Sequence, residues 1–599
     1  MMKYITLLVF TLSSFAGAQE ALRSARITPQ ELQRHIKYLS SEELKGRRTG
    51  EEGNQMAAEY IAREFEQYGL KPAGDNGKYF QSFPFLASVR EGDDMKLSCV
   101  VGNKTFECKP DDDFNLQSVS KDTSLRASLV FAGYGISADS LQYDDYAGVD
   151  VKDKVVVLLR YTPEGSRNES RFMKYAALLV KIANARDHGA AGVILVTGPL
   201  DTDKPKLIPF QQLEGADADV AVMSMRWDIL DTLMHSNDVD LRTLQQTIND
   251  SKIPHSFDLE QTNVELRTHV VKEYGTSSNI LGVLPGSDPK LTNEVIVIGA
   301  HMDHLGMGGK GSLAPDTVAI HHGADDNASG TAGLLEAAQN LAAAQDRAKR
   351  SILFIAFSGE ELGLLGSDYY VKHPTLPLDH TVAMLNMDMI GRLKDSVLVV
   401  EGMATSPRWE EFVKKENRDS LDLRLKGDGV GPSDHSSFYL KDIPVMFFFT
   451  NLHSDYHRPS DTWDKINYSG EQKVVELVSR IATDIAALET RPAFTRAAAS
   501  GMSATGGDRQ GVRVSLGVIP DYAEDVPGLK ISGTRPGSAA EKAGLKGGDI
   551  IVKFGEKTVK NIYDFTFLLG EYKPGDEVII VVKRGNDEVS AKAILEARK

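Results

Sequence analysis

Three short apolar runs in this chain end in side chains able to bind a metal or move a proton. Val295–Ala300 is followed by His301 and Asp303, and Ile352–Phe357 by Ser358-Gly359-Glu360-Glu361. Met384-Leu385-Asn386-Met387 runs into Asp388. Two further pieces lie between such runs. Asp325-Asp326 sits in Gly323–Asn327, ahead of a helix opened by Ala328-Ser329-Gly330, and Tyr456-His457 sits in Asp455–Thr462. Singly, each has an ordinary structural explanation: a turn, a solvated loop, or acids at a helix N-terminus. Together they supply two imidazoles and several carboxylates with no cysteine, the ligand set of a hydrolytic zinc site with open positions. An odd number of carboxylates beside two imidazoles fits two metals sharing one carboxylate.

Residues so far apart must be brought together by the elements that carry them. From 279 to 488 strand-like runs at 295–299, 352–357, 382–387, 397–400 and 444–449 alternate with helical segments, notably 328–344 and 472–488. That alternation predicts an α/β fold, with a mixed, mostly parallel sheet sandwiched by helices. Ligand sites in such sheets lie beyond the carboxyl ends of the strands. Residues 28–71 read as helical. Between the two stretches, 154–159 and 189–196 are buried-strand runs flanking a helical segment, 173–188, which suggests an inserted, β-rich unit. Residues 491–511 are rich in Ala, Ser, Gly and Thr and read as a linker. Residues 512–599 form a last compact unit of short strands.

The chain has 599 residues, 41% apolar and 25% charged, with net charge 68 − 84 = −16. The length predicts several domains. The composition excludes a disordered, collagen-like or coiled-coil chain, and the acidic balance argues against nucleic-acid binding. Met1–Lys3, the apolar Tyr4–Phe15 and Ala16-Gly17-Ala18 read as a signal peptide over residues 1–18. No later run is long and apolar enough for a transmembrane helix. The mature chain is therefore expected to be exported, periplasmic or secreted. Cys99 and Cys108 flank a hairpin at Gly102-Asn103 and are either a cross-strand disulfide or two free thiols.

The motifs Gly299–Asp303, Gly323–Gly330, Glu360–Ser367, Asn386-Met387-Asp388 and Tyr456-His457 resemble the dizinc aminopeptidase family, zinc exopeptidases that also include glutamate carboxypeptidases and glutaminyl cyclases. All five occur in family order, and Gly46–Gly50 resembles the family's opening segment. The resemblance implies the zinc exopeptidase fold and two zinc ions per chain. It implies His301 and Asp388 at one ion, Glu361 and His457 at the other, and Asp325 bridging them, with a cis peptide at Asp325-Asp326. It implies Glu360 as general base, Asp303 orienting His301, and Tyr456 donating to the oxyanion.

Residues 121–270 resemble an inserted protease-associated (PA) domain, most clearly at Phe131–Gly135 and His188–Ile194. They would divide the peptidase domain into 22–120 and 271–490. Residues 512–599 resemble a PDZ domain, with Leu516-Gly517-Val518 as its carboxylate-binding loop for a C-terminal peptide. The function expected is aminopeptidase action on peptide substrates. Glutamate carboxypeptidase-like and glutaminyl cyclase-like chemistry are the alternatives on the same fold.

Overall fold

The computed structural model describes residues 26–599 except 166–169, 211–217, 310, 315–316, 345–347, 498–513, 521–525, 527, 536, 560–564, 566–567, 570–571, 586 and 598–599. The signal-peptide expectation and most of the linker lie outside the described residues.

Two N-terminal helices open the structure, α1 (Pro29–Leu39) and α2 (Glu52–Gln67). Thr28 caps α1 by accepting the Glu31 N–H, and Pro29 occupies a position where no N–H is needed. Leu32, His35, Ile36 and Leu39 form the buried stripe of α1. Next come β1 (Phe80–Glu91), β2 (Val270–Leu284), β3 (Val295–His301), α3 (Gly330–Ala343), β4 (Ser351–Phe357) and β5 (Thr381–Met387). The last elements of this layer are β6 (Val397–Glu401), β7 (Asp422–Leu425), β8 (Val445–Phe449) and α4 (Tyr468–Ala487).

These strands make one mixed sheet in the order β2-β4-β3-β5-β8-β6-β7. Lys71–Pro72 and β1 both pair with β2. Its centre, β4-β3-β5-β8, is parallel throughout. Every residue of those four strands is buried, which is why they read as continuous apolar runs rather than alternating ones. One core binds the inner faces of α1–α4 to the sheet through Ile36, Ile61, Phe65, Leu334, Ile352, Phe354, Val478 and Ile481.

The chain leaves and re-enters this sheet through β1 and β2, an antiparallel ribbon that runs from Phe80↔Ile280 to Glu91↔Val270 with one register shift between Glu273 and Tyr274. Between them lies a second sheet of eight strands with apolar clusters of its own. Val155–Leu159 and Gly192–Val196 are parallel neighbours in it, joined through the helix Leu178–Asp187. The sheet begins earlier than the sequence suggested. Lys96–Val101, Lys104–Glu107 and Phe114–Leu116, expected to belong to the first part of the peptidase, are strands of this second sheet. Lys96–Val101 pairs with Thr262–Arg267, a partner too distant to show in local pattern. The hairpin at Gly102-Asn103 is present, and Cys99 and Cys108 are free thiols.

A third core belongs to residues 514–597, where Leu516, Ile531, Phe554 and Ile580 pack together. Gly517, at φ +80°, makes the turn between Leu516 and Val518, with its carbonyl accepting from the Arg535 N–H. Residues 491–497 differ from the free linker expected. Phe494 packs on Tyr439, and Thr495 N–H donates to the Thr405 carbonyl. Among the described residues no helix is long and apolar enough to cross a membrane.

Candidate metal centre

The four parallel strands end side by side, and each delivers functional groups to the same edge. His301 is the last residue of β3, and Asp388 follows β5 directly. Glu360 and Glu361 follow β4 after Gly359, whose φ of +77° allows the reversal. His453, Tyr456 and His457 lie on the loop after β8. Asp325 and Asp326 precede α3.

Asp326 occupies the middle. Its Oδ1 lies 3.4 Å from His301 Nε2 and its Oδ2 lies 3.0 Å from His457 Nε2. On the first side Asp388 Oδ1 is 3.3 Å from His301 Nε2 and Glu360 Oε2 is 3.8 Å from it. On the second, Glu361 Oε2 is 3.2 Å from His457 Nε2. Tyr456 stacks on the His457 ring, 3.8 Å between centroids.

Both imidazoles have their tautomer set from behind. His301 Nδ1–H donates to the Asp303 carbonyl at 3.2 Å, and His457 Nδ1–H donates to the Gly311 carbonyl at 2.8 Å. In its neutral form a ring held this way turns the lone pair of Nε2 toward the carboxylates. Burial lowers both rings, but the charges of those carboxylates outweigh it and raise them well above the usual histidine range. His301 Nε2 and Asp388 Oδ1 are buried and have no hydrogen-bond partner. Acceptor facing acceptor in a buried site calls for a cation between them. The residues present therefore fit a pair of divalent ions of the zinc type, held by imidazole and carboxylate.

The structure corrects the bridging position. Asp325, expected there, turns away: its carboxylate accepts from Gly391 N–H at 2.7 Å and Ser329 Oγ–H at 3.0 Å, and faces His453 Nε2 at 3.1 Å. Asp326 lies between the histidines instead, and the cis peptide is at Asp326-Asn327, not Asp325-Asp326. Two consecutive aspartates offer no local signal for which one faces the strand ends. Asp461 then clamps both main-chain amides, accepting from Asp325 N–H at 2.8 Å and Asp326 N–H at 3.2 Å, and pairs with Arg392 at 3.0 Å.

Asp303 does more than face His301. Its fully buried carboxylate accepts from Thr49 Oγ–H at 2.8 Å and from the amides of Glu360 and Glu361 at 3.2 and 3.4 Å. The Gly46–Gly50 segment is thereby tied to the centre. Arg47, also buried, donates to the carbonyls of Met302, His322 and Gly323 at 2.9, 2.8 and 3.0 Å, and to that of Leu39. Burial lowers its guanidinium to about 10, against the pull of Asp326 and Asp303.

The adjacent glutamates are pushed in opposite directions. Burial raises Glu360 well above the usual carboxylate range; Glu361 and Asp388 add to the push and His301 opposes it. Burial acts on Glu361 too, but the charges of His457 and His304 outweigh it and hold that carboxyl at about 2. Neighbouring carboxyls driven apart in this way suit different tasks, one as a ligand and one as a proton carrier. His304, which the sequence reading passed over, is buried in the site with Nδ1 2.6 Å from Glu361 Oε1. Its place three residues after His301 was the available signal.

The region that holds this site resembles known proteins. Residues 279–482 match the model of peptidase family M28, and residues 512–595 match that of the PDZ domain. The stretch that runs from His301 to His457 thus lies inside the match to peptidase family M28, and the match to a PDZ domain follows it. It is 30% identical over 231 residues to aminopeptidase YwaD of Bacillus subtilis (strain 168), a match covering 36% of this chain and 46% of that protein. It is 31% identical over 183 residues to leupeptin-inactivating enzyme 1 of Streptomyces exfoliatus, covering 30% and 37%. The chain thus spans less than half the length of either relative. Similar solved structures include an aminopeptidase from Aneurinibacillus sp. strain AM-1, at 21% identity, TM-score 0.47, and coverage of 80% of this chain and 97% of that one. Another is a zinc aminopeptidase from Bacillus subtilis, at 22%, 0.41, and 77% and 96%.

Proposed function

We propose that this protein is an exported, two-zinc aminopeptidase that removes N-terminal residues from peptides. The observation that carries the reading is Asp326, one oxygen toward His301 and the other toward His457, with Asp388 and Glu361 completing the two sides. His301, Asp388 and Asp326 would hold one ion, and His457, Glu361 and Asp326 the other. Bound there, zinc ions would act as Lewis acids toward a peptide carbonyl and make a water molecule more acidic.

The chain's own groups would do the rest. Glu360 would take the proton of the attacking water on its carboxylate and deliver it to the leaving amine. Asp303 keeps the Glu360-Glu361 main chain in place. Tyr456 would donate its phenol to the developing oxyanion. The second sheet, in our reading a PA domain, and the PDZ domain would position substrates. The Leu516-Gly517-Val518 loop would hold a peptide C-terminal carboxylate.

The test pairs metal analysis with a substrate panel. The purified protein should carry two zinc ions, lose activity with a chelator, and cleave free aminoacyl anilides while sparing N-terminally blocked peptides. Cleavage of blocked peptides would point to a carboxypeptidase, and cyclisation of N-terminal glutamine to a cyclase; either overturns the aminopeptidase reading.

A further inference from the structure

We propose that His304 is a positioning residue for Glu361, fixing which of its oxygens faces the metal centre. The proposal rests on the two-metal reading above. His304 Nδ1 lies 2.6 Å from Glu361 Oε1, while Glu361 Oε2 faces His457 Nε2 at 3.2 Å. With Nδ1–H donating to Oε1, the carboxylate cannot swing, and Oε2 is the oxygen left toward His457 and Asp326. The short separation argues against His304 as a ligand itself. Neighbouring ligand atoms around a tetrahedral zinc are about 3.3 Å apart, whereas 2.6 Å lies just under the roughly 2.7–2.9 Å of a charge-assisted N–H···O hydrogen bond.

The ring is locked. Its side chain has no exposed surface, and it stands edge-on to the His457 ring at 5.7 Å. Its Cγ and Cδ2 fill the space where a Cβ on Gly323 would be, 2.6 Å away, and Gly323 has φ +56°. The end of β3 and the turn after it thus supply His301, which would hold one ion, the Asp303 carboxylate for the Glu361 amide, and the His304 ring for the Glu361 carboxylate. Partners of this kind, one step removed from a metal, typically contribute a factor of about 10–100 in its affinity.

The experiment measures stepwise zinc affinities by chelator competition and the absorption of the cobalt-substituted protein, for wild type, His304→Ala and His304→Asn. Asn carries a donor one bond from Cγ, as Nδ1 is. His304→Ala should weaken one of the two sites roughly 10–100-fold and leave the other unchanged. His304→Asn should recover most of that loss with the wild-type cobalt spectrum. Unchanged affinities in His304→Ala would overturn the proposal. So would a His304→Asn protein that fails to recover and whose cobalt spectrum differs from wild type, since the ring would then be a ligand. A wild-type protein that takes up only one ion would overturn the two-metal reading itself, whatever the variants do.

Discussion

Asp325 and Asp326 show how much chemistry one position of offset can carry. Both are buried, yet Asp326 lies between two imidazoles while Asp325 is consumed by Gly391, Ser329 and His453. Asp326→Asn should therefore abolish tight binding at both metal positions, read by metal analysis after dialysis. Asp325→Asn should keep two ions but lower stability by on the order of 3 kcal/mol, the scale of a broken buried ion pair, read by urea unfolding. If Asp325→Asn loses the metals and Asp326→Asn keeps them, the bridging assignment is wrong. The adjacent glutamates divide in the same way. Glu360→Gln should retain both ions and lower kcat by roughly 10²-fold or more, the scale of a lost general base. Glu361→Gln should instead weaken metal binding. Retained turnover with lost metal in Glu360→Gln would mean that the two roles are exchanged. The type of chemistry was legible in these residues from sequence, because His and carboxylates at strand ends with no cysteine admit few readings. Which of two neighbouring acids points inward was not, since it depends on Asp461 holding both amides from 135 residues away.

The helices that flank the sheet carry a polar defect of their own. Glu336 on α3 is 1% exposed and faces His35 of α1 at 3.3 Å. Burial pushes its carboxyl up to about 8 from 4.5, with Glu31 adding to the push and Arg34 opposing it. The folded protein therefore keeps this proton over a window in which the unfolded chain has lost it. The stabilisation is complete below pH 4.5 and is lost as pH rises through 8, by up to about 1.4 kcal/mol per pH unit. Glu336→Gln holds a neutral group at every pH. Its melting temperature should gain on wild type between pH 5 and pH 8 and converge with it at lower pH; a difference that is flat across this range would rule the account out. The elements themselves were readable because their local signals agree. The apolar runs of β3, β4 and β5 mark strands covered on both faces, whereas the helix expected over 472–488 begins earlier, at Tyr468, where Asn467 caps it. A buried glutamate inside an amphipathic helix gives no such signal, since only packing decides that Gly330–Ala343 is covered on nearly all sides.

At the scale of the whole molecule, chain order and spatial order part company twice. The second sheet recruits Lys96–Leu116 from the stretch expected to belong to the peptidase, because pairing partners more than 100 residues downstream decide which sheet a strand joins. The Ala/Ser/Gly/Thr-rich stretch after α4 also begins later than its composition implies, because its first residues have a docking place. Phe494 packs on Tyr439, Ala497 N–H donates to Tyr439 Oη at 3.1 Å, and Arg491 bonds Glu294 at 2.8 Å. The PDZ domain, by contrast, has its own core, and all the proposed metal ligands lie between 301 and 457. This places the boundary for separating the two at 497 rather than at the end of α4. A chain ending at Ala497 should fold, bind zinc and cleave small chromogenic substrates at the full-length rate. A chain ending at Leu488 should do the same but unfold more easily, by about 1–2 kcal/mol for the half-buried Phe494 ring alone. Comparing the two by urea unfolding and by kcat/KM on an aminoacyl anilide separates docking from catalysis. A 497-residue protein that holds zinc yet is inactive on the anilide would show that the PDZ domain completes the active site, and a positioning role for it would then be wrong.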